Sequence, residues 1–193
     1  MTQRFVTSFR SIAALGFLFL GCFATAGLTA KKTGHLEALD VTNTIGFEDL
    51  DQCILGPDVE GAFGRGSMAG QPLSLPDGRL LKAVGRQSHS EKDGSRSIAT
   101  LRLPSTAQWN GLPISKVESE AIQPPESDST NIQRLKFRAS PNEVQRTLRR
   151  LGLAVPMAPG YRQLRETEEE ACGGAMLIER DPEGAALVCS WGC

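Results

Sequence analysis

The clearest alternation of apolar and polar residues lies in the segment NIQRLKFRA. Three apolar side chains fall on one face of an extended chain and three cations on the other: Leu135, Phe137 and Ala139 against Arg134, Lys136 and Arg138. Successive side chains of a strand point to opposite sides of a sheet, so this period of two predicts a half-buried strand. Its second face is expected to be cationic.

The residues after this strand carry the start and stop signals of a helix, which we predict from about Pro141 to Leu151. Ser140 is a suitable N-cap, proline fits the first helical position, and Glu143 stands where a capping box places its acid. The apolar stripe and a terminating glycine follow at helical spacing: Val144, Leu148, Leu151 and Gly152.

Turn residues between apolar runs predict several hairpins. The segment PDG at 76–78 separates two leucine-rich runs, and DG at 93–94 precedes a run of alternating character. A third turn, DPEG at 181–184, separates two apolar runs near the end of the chain. Proline presets the first turn torsion and glycine accepts positive φ, so these segments favour antiparallel pairing of their flanks.

The segment TIGFEDLDQCILGP predicts a short N-terminal helix. Phe47, Leu50 and Ile54 recur at helical spacing, Cys53 lies near the end of the segment, and the dipeptide Gly-Pro at 56–57 is a stop signal. Strands and helices together predict an α+β fold: a mostly antiparallel sheet packed by the main helix, with the short N-terminal helix beside it and two disulfides.

The first residues of the chain resemble a secretory signal. Arg4 and Arg10 precede an apolar run at 12–20, which is too short to span a bilayer and is followed by small residues. Three processing sites stay open: before Cys22 with acylation of its thiol, after Ala26, and after Ala30. We assign 1–26 to the signal peptide, 27–41 to a flexible tether and 42–193 to a single domain. The predicted location is periplasmic or extracellular, and a membrane-anchored lipoprotein is the alternative.

Four cysteines follow the signal segment under any of these processing sites: Cys53, Cys172, Cys189 and Cys193. An even number in an exported chain predicts two disulfides. If the last hairpin turns with Asp181 opposite Gly184, Cys172 faces Cys193, which leaves Cys53 to pair with Cys189. The pairing of Cys172 with Cys189 and Cys53 with Cys193 stays open as the alternative.

Charge suggests one candidate binding surface. The formal net charge of −1 gives no general attraction to nucleic acid or to an anionic membrane. Six cations cluster on the predicted strand and helix: Arg134, Lys136, Arg138, Arg146, Arg149 and Arg150. If the two elements pack side by side, these residues form a cationic surface for an acidic protein, lipopolysaccharide or another envelope anion. Solvated faces of two amphipathic elements would give the same pattern.

Catalytic chemistry has weaker support in the sequence. Glu166, Glu168, Glu169 and Glu170 form an acidic run without calcium-loop spacing, and neither His35 nor His89 is placed to activate a nucleophile.

We predict no metal, cofactor, nucleic-acid partner or transmembrane span in the processed chain. The prediction is an exported binding module, such as an inhibitor, an immunity-type protector or an envelope accessory subunit, acting on another envelope or secreted protein. The alternatives are an envelope hydrolase that uses acidic residues and a structural lipoprotein anchored at Cys22.

Overall fold

The computed structural model describes residues 37–64, 70–90, 94–125, 128–164 and 173–192. Strands account for 52% of the structure and helices for 12%. The predicted α+β class is therefore wrong, and the protein is mostly β. The signal segment, Cys22, Cys172, Cys193, His35 and the acidic run at 166–170 lie outside the described residues.

The helices and strands have these bounds in chain order: β1 (Leu39–Asp40), β2 (Phe47–Asp49), β3 (Ile54–Leu55), α1 (Pro57–Phe63), β4 (Leu73–Ser74), β5 (Leu80–Leu81), β6 (Val84–Ser90), β7 (Gly94–Arg102), β8 (Ala107–Trp109), β9 (Leu112–Gln123), β10 (Thr130–Phe137), α2 (Pro141–Arg150), β11 (Arg162–Leu164), β12 (Gly173–Asp181) and β13 (Gly184–Gly192). Two separate hairpins are formed by β2 with β3 and by β4 with β5.

A nine-stranded sheet dominates the fold. Seven of its strands follow the order β1-β8-β9-β10-β13-β12-β11 and form a curled half-barrel. β7 also pairs with β9, and β6 pairs with β7, so the long strand β9 has both β7 and β8 as neighbours. All of these pairs are antiparallel except β1 with β8.

The last hairpin has the predicted register. Asp181 pairs with Gly184, and the ladder continues without a shift to Gly173 opposite Gly192. Met176 therefore faces Cys189 on the adjacent strand. The predicted partners Cys172 and Cys193 lie beyond this ladder, outside the described residues, so their disulfide stays a prediction.

The predicted N-terminal helix is wrong. Residues 47–55 form the hairpin of β2 and β3, and α1 starts at Pro57, a residue that the sequence pattern indicates as a stop signal. Proline at the first helical position has a suitable φ and needs no intrahelical partner for its missing N–H, so it starts a helix as readily as it ends one. Cys53 has φ +60 and forms a disulfide with Cys189, which confirms this pairing and excludes the alternative.

The predicted main helix is confirmed. α2 begins after the N-cap Ser140, whose hydroxyl accepts a hydrogen bond from the N–H of Glu143 at 3.4 Å. The Glu143 carboxylate accepts one from the N–H of Ser140 at 2.8 Å, completing a capping box. Val144 and Leu148 are fully buried in the core that lies beneath the sheet.

Replacing Ser140 by alanine is expected to lower the free energy of unfolding by about 1 kcal/mol. The change removes the acceptor for the N–H of Glu143 while leaving the buried side of α2 intact. Urea unfolding of the two proteins measures the difference. A Ser105→Ala variant, which alters an exposed serine outside any helix, serves as the control and should be unchanged.

The two faces of the central sheet differ in character. Leu135 and Phe137 are fully buried on the face that meets the core, together with Trp109, whose indole N–H donates to the carbonyl of Ile45 at 3.0 Å. The opposite face carries charged side chains from β9, β10 and β12. This division confirms the alternation that the sequence predicts for β10.

Candidate functional site

Three of the arginines selected from the sequence lie on the exposed side of α2. Arg146, Arg149 and Arg150 are exposed, whereas Val144 and Leu148 are fully buried. Residues three and four apart are neighbours on a helix surface, so the three arginines form one contiguous cationic surface. We call Arg146, Arg149 and Arg150 the arginine face.

A groove of about 550 Å³ lies beside the arginine face. Two buried side chains, Leu112 and Thr147, and the exposed Glu143 line it together with the three arginines. The groove is therefore lined by a small buried surface on one part and by guanidinium groups on another. Guanidinium groups bind carboxylates through paired hydrogen bonds. The groove suits an acidic side chain with an apolar neighbour better than it suits a cation.

The arginine face forms no salt bridge in the part of the chain that the structure describes. Arg150 Nη2 donates to Thr147 Oγ1 at 2.8 Å, and Arg146 Nε donates to the carbonyl of Asn142 at 3.4 Å. The ion pairs among the described residues all involve other cations. Glu143 is engaged in the capping box, where hydrogen bonds from the Ser140 hydroxyl and N–H lower the pKa of its carboxyl group, and the nearby charge of Arg146 lowers it further.

Arg134 and Lys136 do not join the arginine face. They lie on the sheet face opposite to Leu135 and Phe137, while α2 buries its apolar stripe among those core residues. Strand alternation thus points the cations of β10 away from the helix. The six cations of the predicted cluster consequently separate into different surfaces, although each element was predicted correctly.

Carboxylates neutralise the two β10 cations. Arg134 Nη1 lies 2.5 Å from Glu120 Oε2, and Lys136 Nζ lies 3.1 Å from both Glu118 Oε2 and Asp181 Oδ2. Only 1% of the Glu120 side chain is exposed, against 21% for Arg134 and 16% for Lys136. We call these five residues, with Arg96 on the other oxygen of Glu120, the ion-pair network.

The ion-pair network is electrostatically balanced. Burial raises the pKa of Glu120, but hydrogen bonds and charge from Arg134 and Arg96 outweigh burial, so the pKa lies below its ordinary value. Burial likewise lowers the pKa of Lys136, but hydrogen bonds to Asp181 and Glu118 outweigh it and raise the pKa overall. Both groups therefore remain charged at neutral pH, which is the behaviour of a structural network.

Arg138, the last cation of the predicted cluster, serves to connect loops. Its Nη2 donates to the carbonyls of Ser105 and Ile114 at 2.8 and 3.0 Å. These bonds connect the end of β10 to the segment before β8 and to β9. Arg138 is exposed and forms no salt bridge among the described residues, but two backbone carbonyls hold its guanidinium group, so we restrict the candidate surface to the arginine face.

The sequence analysis overlooked the acidic half of the ion-pair network. Lys116, Glu118 and Glu120 alternate along β9 on the face that meets Arg134 and Lys136 of β10. These charges alternate in the segment SKVESEA, so they share one face of a strand. Antiparallel pairing with the next strand would place that face beside Arg134 and Lys136. Cross-strand pairs of opposite charge are a recognised element of sheet stability, so the pairing was within reach of sequence reasoning.

The remaining candidate residues give no catalytic arrangement in the described structure. His89 is exposed on β6, and the acidic run at 166–170 lies outside the described residues. Among the described side chains, no group of three or more His, Cys, Asp or Glu residues is arranged to hold a metal ion.

Comparison with protein-family models, curated proteins and solved structures finds no match to this chain. None of the described helices has both the length and the apolar character needed to cross a bilayer.

Proposed function

We propose that this protein is an exported binding module that holds an acidic surface of another envelope or secreted protein on its arginine face. The observation that carries the proposal is the contrast between paired and unpaired cations. Arg134 and Lys136 are neutralised within the fold, whereas Arg146, Arg149 and Arg150 are exposed and form no salt bridge among the described residues. Arginine is enriched at protein interfaces because its guanidinium forms several directed hydrogen bonds.

The position of the arginine face at the end of α2 also has a structural benefit. Arg149 and Arg150 lie in the last turn, where cations interact favourably with the helix dipole. This effect is small at exposed positions and does not require Arg146, which lies further from the end. A binding role therefore predicts that all three arginines matter for partner capture, whereas a dipole role concerns stability alone.

Export is supported by the pattern of the first residues and by the covalent structure. Arg4, Arg10 and the apolar run at 12–20 resemble a secretory signal. The Cys53–Cys189 disulfide is of the kind that persists in oxidising compartments. We propose a periplasmic or extracellular location, and acylation at Cys22 would instead anchor the same domain to a membrane.

Replacing Arg146, Arg149 and Arg150 together by glutamine is expected to weaken partner capture about tenfold or more, because the charge that selects the partner is removed. The measurement is quantitative mass spectrometry of envelope proteins cross-linked to the purified chain. Glutamine keeps good helix propensity, so thermal unfolding should change little. Wild-type binding should also weaken as salt is raised from about 50 to 300 mM.

The matched control replaces Lys82, Arg102 and Arg180, three other exposed cations, by glutamine. It changes the net charge equally and should retain capture. Equal loss in both variants would point to a general charge effect and contradict a specific arginine face. Binding to vesicles that contain about 30% phosphatidylglycerol, lost only in the arginine-face variant, would identify a lipid surface in place of a protein.

A further inference from the structure

The strand β6 forms an open edge of the main sheet. It is seven residues long, and every residue except Ser90 is exposed. β6 pairs with β7 on one side, and no other described strand pairs with it. An edge strand presents a row of free backbone N–H and C=O groups, so β6 has the properties of a template for an additional strand.

β6 and β11, two of the three outer strands of the described sheet, are protected to different degrees. β11, at the opposite edge, has only three residues, and Pro159 lies shortly before it. Short strands and prolines are common means of preventing unwanted pairing. β6 has neither, and its ladder with β7 runs from Val84 to Ser90 without a bulge. This difference indicates that the edge formed by β6 is able to pair with a further strand.

The backbone orientation of β6 follows from one contact. Ser88 Oγ donates to the carbonyl of Arg96 at 3.5 Å, so this carbonyl of β7 faces β6. Ser88 and Arg96 therefore form a hydrogen-bonded pair of the antiparallel ladder. Residues alternate between inward and outward backbone groups, which means that the N–H and C=O of Gln87 point to the open edge.

Side chains on one face of β6 define the chemistry of a partner. Val84, Arg86 and Ser88 share this face, and Val84 remains 62% exposed. Arg86 has no ion pair in the described structure, whereas Arg96, diagonal to it on β7, is paired with Glu120. The edge thus offers one free guanidinium and, two residues away, one uncovered apolar side chain.

We propose that β6 binds an extended acidic segment of a partner protein as an added antiparallel strand. In this pairing an acidic side chain of the segment faces Arg86 and an apolar side chain two residues later faces Val84. A second copy of this chain is a poorer occupant, because antiparallel pairing of two β6 strands brings together two arginines and no carboxylate. The edge lies on a different element from the arginine face, so the two proposals stand independently.

The test uses a backbone-cyclised β-hairpin peptide whose outer strand reads Thr-Glu-Thr-Val-Thr. Cyclisation reduces the entropy lost on binding, so a dissociation constant of about 100 µM is expected by titration calorimetry. A peptide with lysine in place of glutamate should bind about tenfold more weakly. Hydrogen exchange should show new protection at the outward residues Gly85, Gln87 and His89 of β6, and at no other strand edge.

Two variants locate the binding on β6. Arg86→Glu should reverse the preference, so that the lysine peptide binds about tenfold more tightly than the glutamate peptide. Gln87→Pro should weaken both peptides about tenfold, because it removes the outward N–H while leaving the ladder with β7 intact. Thermal unfolding checks that both variants remain folded.

Several results would overturn the proposal. These are absence of saturable binding up to about 2 mM, equal affinity for the two peptides, or protection confined to strands other than β6. Self-association of the unliganded chain that Gln87→Pro abolishes would assign the edge to a second copy. The variant lacking the arginine face should bind the peptide as the wild type does, so failure of one proposal leaves the other testable.

Discussion

Replacing Cys53 and Cys189 together by alanine is expected to lower the free energy of unfolding by about 4 to 5 kcal/mol. The two cysteines are 136 residues apart, so their disulfide closes a loop that spans most of the described chain. In the chain-entropy treatment, a crosslink over such a distance restricts the unfolded ensemble strongly. Both residues are buried, and alanine leaves no unpaired polar group at either position.

Urea unfolding at neutral pH measures this difference. The double alanine variant is preferable to a reducing agent, because a reductant would also break the predicted disulfide between Cys172 and Cys193. A Ser105→Ala variant again provides the baseline. A loss below about 1 kcal/mol would contradict the prediction and mean that packing alone holds the N-terminal segment in place.

The position of Cys53 indicates where the variant should loosen first. Cys53 lies between β2 and β3, and Cys189 lies in β13 within the main sheet. Leu55 and Val59, which follow Cys53, are fully buried in the core. Hydrogen exchange in the alanine variant should therefore accelerate in β2, β3 and α1 before it accelerates in β13, because the disulfide is the covalent connection between them.

Local signals in the sequence were sufficient for one continuous part of the fold. The alternation of β10, the capping box of α2 and the turn at 181–184 are each complete within about a dozen residues. Side-chain period, cap and turn chemistry agree in these segments, so local preference and tertiary structure coincide. The Cys53–Cys189 pairing then followed from the register of the last hairpin together with the count of cysteines.

Distant contacts decided what local signals could not. Phe47, Leu50 and Ile54 have helical spacing, yet the segment folds as a hairpin that places Cys53 against Cys189. A tight turn brings residues at this spacing together as a helix does, so periodicity in a short segment does not distinguish the two. A short helix, α1, follows this hairpin, so the mostly β class reflects the extent of the sheet and not the loss of a helix.

The candidate site divides for a related reason. Arg134 and Lys136 resemble the arginine face in composition, but their surroundings depend on the pairing of β10 with β9 and on the approach of Asp181. Sequence alone indicates which face of a strand is polar. Whether the cations on that face meet carboxylates depends on how the strands pair. In this protein, strand pairing neutralises the cations of β10, whereas the arginine face stays exposed to a partner.

Replacing Arg134 by methionine is expected to lower the free energy of unfolding by about 3 kcal/mol. The buried carboxylate of Glu120 then keeps only Arg96, whose side chain is largely exposed. Removing both charges with Arg134→Met and Glu120→Leu should cost less than the sum of the single changes, because no buried charge is left unpaired. Urea unfolding of the four proteins gives the coupling energy.

The matched control is the exposed ion pair between Asp77 and Arg79. It also joins an arginine to a carboxylate, but at the surface, so Asp77→Asn should leave the free energy of unfolding nearly unchanged. An equally small effect of Arg134→Met would contradict the view that burial of Glu120 makes the network important for stability.

The pH dependence of stability follows from the direction of each pKa shift. Glu120 has a pKa below its ordinary value of 4.5, so its contribution is complete above that pH and is lost as the pH falls through the lowered pKa. Lys136 has a pKa above 10.5, so its contribution is complete below that pH and is lost as the pH rises through the raised pKa.

Stability contributed by the network should therefore be constant between about pH 5 and pH 10 and decline on both sides. The stability difference between the wild type and Glu120→Gln isolates the acid side, since glutamine does not titrate. We expect this difference to be about 2 kcal/mol at pH 7 and to shrink as the pH falls below 4.5. A difference that stays constant down to pH 2 would mean that glutamine disturbs packing and that the charge of Glu120 contributes nothing.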